Sequence, residues 1–255
     1  MLCSTAFALR IVSTAPGLTE TLFALGAIDD VIAVSSYCKY PEQVNDLPKV
    51  GGFYDINHEI ILRLSPDIVF LMDGNAELGR FLDKHKIKYS IYMSHSLEDV
   101  YAMIEGVGEK VGKQSKADEL VDDIKERMAE TKKVSSKKNK QSVLLVIEEE
   151  VHNKKVEAVY AVGRDKYYVP ILEALNLNNV LDTAIPYPRI TKETLYGLKP
   201  DKIIVMVSGK PEHYDWLARE GYAPDVSFIE DDVVKHPGPR IIDTLEIFNE
   251  IVSHN

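Results

Sequence analysis

The sequence of 255 residues is poor in cysteine and tryptophan, since it contains only Cys3, Cys38 and Trp216. Because no Cys-x-x-Cys spacing occurs, the sequence gives no basis for a thiolate zinc site. No apolar run approaches the roughly 18 residues that a membrane-spanning helix needs. The Gly-x-Ser-x-Gly, Gly-x-x-x-x-Gly-Lys and His-Glu-x-x-His patterns are also missing, which argues against the enzyme classes that carry them.

Positive charge is scarce as well. The chain has 30 lysines and arginines against 40 aspartates and glutamates, for a formal net charge of -10. Nucleic acids and anionic membranes attract basic proteins, so this balance argues against both as partners. The seven histidines are scattered along the chain, whereas a metal ion needs several ligands that converge. We therefore predict no metal site and no nucleic-acid interface.

The first eight residues differ from the start of an ordinary domain. Ala6-Phe7-Ala8 fits the small-x-small cleavage pattern of a secretory signal peptide. We therefore predict a secreted protein of the periplasm or cell envelope. An ordinary frayed terminus is the alternative, and Cys3 leaves a lipid anchor open.

A pattern of helix, buried strand, turn and helix occurs twice in the chain. The first copy runs from Glu59 to Leu82 and the second from Glu193 to Leu217. In each copy a glutamate stands seven residues before a Pro-Asp pair, and an apolar run of about five residues follows that pair. Proline disfavours helix at the preceding residue, and such an apolar run predicts a parallel strand buried on both faces. Chance recurrence is the alternative.

The repeat predicts an α/β fold of two similar lobes with parallel-rich sheets. We place the N-terminal lobe at residues 9–106 and the C-terminal lobe at residues 135–255. Residues 107–134 are predicted as a single linking helix, within a helical stretch that lacks a strong break. Glu148 to Lys155 is predicted as an exposed charged turn, and Val180-Leu181 as a strand equivalent to Val31-Ile32.

The loops that follow parallel strands carry the candidate binding residues, because ligands of such sheets bind at the carboxyl ends of the strands. Aromatic side chains with a few polar groups suit a sizeable, partly flat ligand. Counting back from the two copies of the repeat aligns Phe53 with Tyr187. The candidates in these loops are Tyr37, Phe53, Tyr54, Tyr160, Arg164, Tyr187, Arg189 and Arg240. For each aromatic residue, packing beneath a loop is the alternative.

Several motifs, in this order, resemble the helical-backbone substrate-binding proteins of ABC importers, which handle vitamin B12, ferric siderophores and haem. They are Arg10 to Gly26, Tyr37 to Pro41, Lys49 to Phe53, Asn75 to Glu77 and Pro239 to Ile241. The resemblance covers the chain from Leu9 onward and is strongest to the vitamin B12-binding branch. It implies two lobes joined by one long helix, with the ligand in a cleft between the lobes. It also implies a monomer without enzymatic activity that delivers its ligand to a permease dimer.

The resemblance gives the second glutamate of each repeat a function. Glu77 and Glu212 are similar to the surface carboxylates, one per lobe, that dock onto arginines of the permease. Matching charges on two like lobes suit a two-fold symmetric partner. Stabilisation of a helix dipole by a first-turn glutamate is the alternative.

The ligand stays open within the family. The relatives line the cleft with tryptophans, and this chain has Phe53, Met72 and Tyr187 at those positions, so Met72 joins the candidates. We expect a cobalamin or related corrinoid as ligand, with no resident cofactor. Haem ligated by a tyrosinate and an anionic ferric siderophore held by arginines are the alternatives. More remote are a metal-dependent enzyme on a related fold and a surface protein that works without a permease.

Overall fold

A computed structural model describes residues 9–53, 55–153, 155–206 and 225–253 of the chain. The chain divides into two compact units. The first comprises the residues through Ser94 together with Glu98–Asp123, and the second comprises His95–Leu97 and the chain from Ile124 onward. The boundary between them falls inside the longest helix described.

The first half of the chain alternates strands and helices. The elements are β1 (Ile11–Ser13), α1 (Pro16–Ala24), β2 (Val31–Val34), α2 (His58–Leu64), β3 (Ile68–Met72), α3 (Ala76–Lys84), β4 (Lys88–Tyr92) and α4 (Leu97–Lys110), with 3-10 helices at Ile28–Asp30 and Glu42–Asp46. The described strands form one parallel sheet in the order β2-β1-β3-β4. All five residues of β3 are buried, as its continuous apolar run predicts for a strand covered on both faces.

The second half adds antiparallel strands to the same plan. Its elements are α5 (Gln114–Ser135), β5 (Gln141–His152), β6 (Lys155–Ala161), α6 (Tyr168–Ala174), β7 (Leu177–Asn179), β8 (Arg189–Thr191), α7 (Lys192–Leu198), β9 (Lys202–Val205), β10 (Asp225–Phe228) and α8 (Ile241–Ser253), with a 3-10 helix at Asp232–Lys235. β7, β9 and β10 run parallel to β5 or to one another. β6 and β8 form an antiparallel extension on β5.

The sheet topology confirms the two similar α/β lobes. In the second unit β7 and β9 flank β5, and β10 follows β9, so the parallel strands run in the order β7-β5-β9-β10. This is the order of β2-β1-β3-β4 in the first unit. The repeated motif occupies α2 and β3 in one unit and α7 and β9 in the other. Its last part in the second copy, including Glu212 and Trp216, lies outside the described residues.

The two copies also share the junction between helix and strand. Helices α2 and α7 end at Ser65 and Lys199, which both adopt the left-handed conformation, with φ of 46° and 44°. Each of these residues stands immediately before the proline of the Pro-Asp pair. The left-handed residue stops the helix, and the chain can then turn directly into the buried strand.

The aspartate of each Pro-Asp pair anchors the start of the central strand. Asp67 Oδ2 accepts the backbone N–H of Arg10 at 2.9 Å, next to β1. Asp201 Oδ2 accepts the backbone N–H of Ser142 at 2.8 Å and its hydroxyl at 2.6 Å, at the start of β5. Equivalent carboxylates thus hold equivalent strands in register.

The predicted helix over 107–134 starts instead at Gln114. The helical stretch is broken at Gly112, which has a φ of 68°, and α4 ends at Lys110. The two helices approach closely at the break, since a Cβ on Gly108 would lie 2.5 Å from the Cβ of Ala117. A helical pattern of apolar residues continues through the break, which is why periodicity alone missed it.

Two further local predictions are wrong. Glu148 to Lys155 is mostly strand, because β5 continues through His152 and pairs with β6, and the chain turns at Asn153, whose φ is 49°. The strand predicted at Val180-Leu181 lies at Leu177–Asn179. The side chain of Asn179 ends that strand, since its amide donates to the carbonyls of Val162 and Gly163 and its oxygen accepts the N–H of Leu181.

No helix among the described residues combines the length and apolar composition needed to cross a lipid bilayer.

Candidate ligand-binding site

In the first unit, the loop after β2 and the loop before α2 lie against each other at the carboxyl ends of the strands. The N–H of Ser36 donates to the carbonyl of Gly51 at 2.8 Å, and the N–H of Val50 donates to the carbonyl of Val34 at 3.0 Å. Gly51 has a φ of 105°, and a Cβ there would collide with the carbonyl of Asp55. Only glycine fits this turn without strain.

This loop pair presents two of the candidate aromatic residues. Phe53 lies against the turn after β3, since a Cβ on Gly74 would be 3.6 Å from two atoms of its ring. Tyr37 packs its ring edge near Gly52, and 58 % of the residue is exposed. The loops therefore bring Tyr37, Phe53 and the N-terminal turn of α3 to one edge of the sheet.

A buried polar layer supports these loops. Ser13 Oγ and Thr19 Oγ1 share a hydrogen bond of 2.8 Å, and Thr19 Oγ1 donates to the sulfur of Cys38 at 3.1 Å. Ser35 Oγ lies 3.5 Å from the same sulfur. Burial raises the pKa of the Cys38 thiol, although these hydrogen bonds act in the opposite direction. Cys38 is therefore a protonated structural group that fixes the loop carrying Tyr37.

Two other candidates of the first unit differ in exposure. Met72 is the last residue of β3 and is only 7 % exposed, so its side chain lies within the core beneath the rim. Glu77 lies in the first turn of α3 and is exposed. Its carboxylate therefore stands at the surface, where the docking prediction requires it.

In the second unit, the loop after β6 lies against the loop before β8. The N–H of Gly163 donates to the carbonyl of Pro186 at 2.7 Å, and the N–H of Arg164 donates to the carbonyl of Thr183 at 2.9 Å. A Cβ on Gly163 would collide with the carbonyl of Ile185, so this close approach of two backbones requires glycine. The pairing places Arg164 and Tyr187 on adjoining loops.

Asp165 connects these loops and is absent from the candidates chosen from sequence. Its Oδ1 accepts the backbone N–H groups of Tyr167 and Tyr168 at 2.7 and 2.5 Å, at the start of α6. Its Oδ2 accepts the hydroxyl of Tyr187 at 2.6 Å. An aspartate just before a helix is a capping signal and could have identified the first contact. No sequence signal near Asp165 indicates the second contact, the one with the Tyr187 hydroxyl.

The hydroxyls of two tyrosines point into this region. Tyr168 donates to the carbonyl of Val234 at 2.9 Å, and burial and the charge of Asp165 raise its pKa. The pKa of Tyr187 is also raised, first by burial and then by its hydrogen bond to Asp165. Although 41 % of Tyr187 is exposed, its hydroxyl faces the buried carboxylate.

Each candidate arginine is paired with a carboxylate of its own unit. Arg164 Nε donates to Asp182 at 2.5 Å, and Arg240 Nε donates to Asp243 at 2.8 Å at the start of α8. Arg189 makes a bidentate pair with Glu150, at 2.8 and 2.6 Å. These hydrogen bonds lower the pKa of Asp182 and of Glu150. The guanidinium charges near the site are thus locally neutralised.

The structure brings the candidates together in small groups. Tyr37 and Phe53 share the loop edge of the first unit, and Arg164 and Tyr187 share adjoining loops of the second. Tyr160 on β6 pairs in register with Arg189 on β8, beside Glu150. Arg240 pairs with Asp243 at the start of α8. Tyr54 and Glu212 lie outside the described residues.

Metal-ligating side chains do not cluster in the described ranges. No group of three or more histidine, cysteine, aspartate or glutamate residues there could hold a metal ion.

Comparison with known proteins gives matches along most of the chain. A family model described as periplasmic binding protein matches residues 11–240. The ABC transporter substrate-binding lipoprotein YvrC of Bacillus subtilis (strain 168) is 27 % identical over 258 residues, covering 95 % of this chain and 79 % of its own. The vitamin B12-binding protein of Pectobacterium carotovorum subsp. carotovorum (strain PC1) is 23 % identical over 250 residues, covering 95 % and 88 %.

A solved structure agrees with the fold. A periplasmic heme binding protein from Pseudomonas aeruginosa superposes with a TM-score of 0.79 at 21 % identity, covering 95 % of this chain and 92 % of its own. At this level of identity the likeness bears on the fold alone.

Proposed function

Since the chain belongs to the periplasmic binding protein family, the substrate-binding components of ABC transporters, we propose that it captures a cobalamin or related corrinoid and delivers it to a membrane permease. The family resemblance predicted from the sequence motifs is confirmed. The ligand, the permease contact and a location in the cell envelope are our proposals. The vitamin B12-binding relative and the lipoprotein relative support them.

The observation that carries the ligand assignment is the neutralisation of the candidate arginines. Arg164, Arg189 and Arg240 each have a carboxylate partner within 2.8 Å. Each guanidinium already shares its charge with a carboxylate, so an anionic ferric siderophore would meet less net positive charge there than at an unpaired arginine. A corrinoid such as cyanocobalamin is a large, flat ligand without net charge, and it needs no free cation.

The candidate aromatic residues provide the apolar and stacking surface that such a ligand contacts. Phe53 and Tyr187 each lie five residues before the first residue of a repeated helix, α2 and α7. They are thus equivalent points of the two units, and both belong to loops near the carboxyl ends of strands. Aromatic rings such as these make hydrophobic and stacking contacts with a flat macrocycle. In this proposal they replace the tryptophans of the B12-binding relatives.

Permease docking is assigned to Glu77 and Glu212. Glu77 is exposed in the first turn of α3, where a permease arginine can reach it. Charged pairs at the rim of an interface mainly set its register and association rate. Loss of uptake in a Glu77→Gln strain, with ligand affinity of the purified protein unchanged, is the expected result.

The ligand proposal is tested by mixing the purified protein with cyanocobalamin, and separately with haemin, followed by desalting and absorbance spectroscopy. We expect a retained corrin spectrum at one equivalent. Phe53→Ala should weaken cobalamin binding roughly fivefold, in line with a lost stacking contact of about 1 kcal/mol. Phe23→Ala removes an exposed phenylalanine of α1 and serves as the matched control. A haem spectrum with no retained corrin would contradict the proposal.

A further inference from the structure

Asp165 controls the hydroxyl of a candidate ligand-binding residue. The aspartate is 6 % exposed, and its hydrogen-bond partners are donors: two backbone N–H groups at the start of α6 and the hydroxyl of Tyr187. An ionised carboxylate accepts hydrogen bonds and donates none, so this environment suits the charged form. The backbone contacts fix the orientation of the carboxylate, and Tyr187 lies at its remaining oxygen.

We propose that Asp165 is a specificity-determining residue that holds the Tyr187 hydroxyl as a protonated donor, so that Tyr187 offers its ring to the ligand and does not ligate ferric iron. The inference rests on the proposed function, because it concerns the same site. A tyrosine ligates haem iron through its phenolate oxygen. A phenolate 2.6 Å from a carboxylate would bring two negative charges into contact, which favours the neutral hydroxyl.

The surroundings act in the same direction. Burial raises the pKa of Tyr187, and the hydrogen bond and charge of Asp165 raise it further. The position of the hydroxyl is also fixed, since Gly163 and Arg164 bind the backbone of the loop that carries Tyr187. Swinging Tyr187 toward an iron atom would break its bond to Asp165 and leave a buried carboxylate oxygen without its donor.

The arrangement therefore selects among flat ligands. A corrinoid carries its own cobalt ligation and requires only a surface for its ring, which Tyr187 provides. Ferric haem gains much of its affinity from an axial protein ligand. The hydrogen bond to Asp165 keeps the Tyr187 oxygen from serving as that ligand. The chain thus distinguishes two macrocycles of similar shape by the hydrogen bond of one side chain.

The test uses Asp165→Asn in the full-length protein. The asparagine oxygen can still accept the two backbone N–H groups of α6, whereas its amide now faces Tyr187 and donates to the phenolate. We expect this variant to bind haemin with the spectrum of tyrosinate-ligated ferric haem and with at least about tenfold higher affinity than wild type. The double variant Asp165→Asn with Tyr187→Phe should lose that spectrum. Asp122→Asn, the same substitution at an exposed position of α5 away from the candidate residues, is the matched control.

Two results would overturn the inference. One is a tyrosinate haem spectrum in wild type that disappears in Tyr187→Phe, a comparison that does not depend on the folding of any Asp165 variant. The other is a folded Asp165→Asn protein, verified by circular dichroism, whose haemin spectrum and affinity equal those of wild type. Retention of cyanocobalamin by wild type is measured separately. Its absence would contradict the proposed function, whatever the haemin spectra show.

Discussion

Single carboxylates fix much of this fold, and three of them do so through backbone donors. Asp67, Asp165 and Asp201 each accept the N–H of a residue at or next to the start of a strand or helix. Two of these, Asp67 and Asp201, are equivalent in the internal repeat. Each of these two aspartates binds a main-chain N–H that is distant in sequence. Its side chain therefore determines which two segments start side by side.

Removing such a carboxylate should lower stability without changing the fold. We expect Asp201→Ala to lose about 1–2 kcal/mol of the free energy of unfolding at neutral pH, because the N–H and hydroxyl of Ser142 lose their acceptor. Urea denaturation measures the loss. Asp122→Ala, at an exposed position of α5, is the control and should change stability little.

The same contribution should depend on pH. Hydrogen bonds from Ser142 lower the pKa of Asp201, so its stabilisation is present above the ordinary aspartate pKa of about 3.9 and is lost as the pH falls through the lowered value. The difference between wild type and Asp201→Ala should therefore shrink below about pH 4. A difference that stays constant down to acid unfolding would show that charge plays no part.

At the scale of elements, the repeated junctions impose a strained residue at the end of a helix. Lys199 ends α7 with a φ of 44°, where an L-residue other than glycine is disfavoured by roughly 1 kcal/mol. This conformation is nevertheless adopted because it lets the chain pass directly from the end of α7 into β9.

Lys199→Gly should therefore raise the free energy of unfolding by roughly 0.5–1 kcal/mol. The gain would appear in urea denaturation as a higher midpoint with an unchanged slope. Lys132→Gly makes the same substitution at a right-handed position of α5 and should instead destabilise by up to about 1 kcal/mol. Equal effects of the two substitutions would refute the role of the left-handed conformation.

The sequence predicted those elements whose signals are local. The Pro-Asp pairs and the apolar runs that follow them located β3 and β9. The residues that determine the helix end and the buried strand lie within about ten positions of one another. The extension of β5 through His152 escaped prediction because its run of glutamates is typical of an exposed turn, whereas pairing with β6 holds the segment in the sheet. The role of Asp165 was missed because its partner Tyr187 lies 22 residues further along the chain.

For the molecule as a whole, charge is distributed so that binding should not depend on salt. The net charge is -10, yet the arginines near the candidate site are paired with carboxylates. A neutral corrinoid experiences little steering from either sign. A charged ligand, such as the anion haemin, would be affected by the overall negative field.

We expect the association rate of cyanocobalamin, measured by stopped flow, to change less than about twofold between about 10 mM and about 1 M ionic strength. Glu150→Gln leaves Arg189 without its bidentate partner and should make binding of the anion haemin weaker at high salt than at low salt. A steep salt dependence of cobalamin association in wild type would point to a charged recognition step that the pairing of the arginines does not predict.

The common strand order of the two units has a consequence for the history of the chain. Two halves that share strand order, left-handed helix ends and anchoring aspartates are what duplication of a half-length gene leaves behind. On that account the features common to both halves are the ones that the ancestral half already needed in order to fold. The antiparallel strands β6 and β8 have no counterpart among the described strands of the first unit. Tyr160 and Arg189 lie on those strands and Arg164 borders them, so this part of the candidate site belongs to what the two halves do not share.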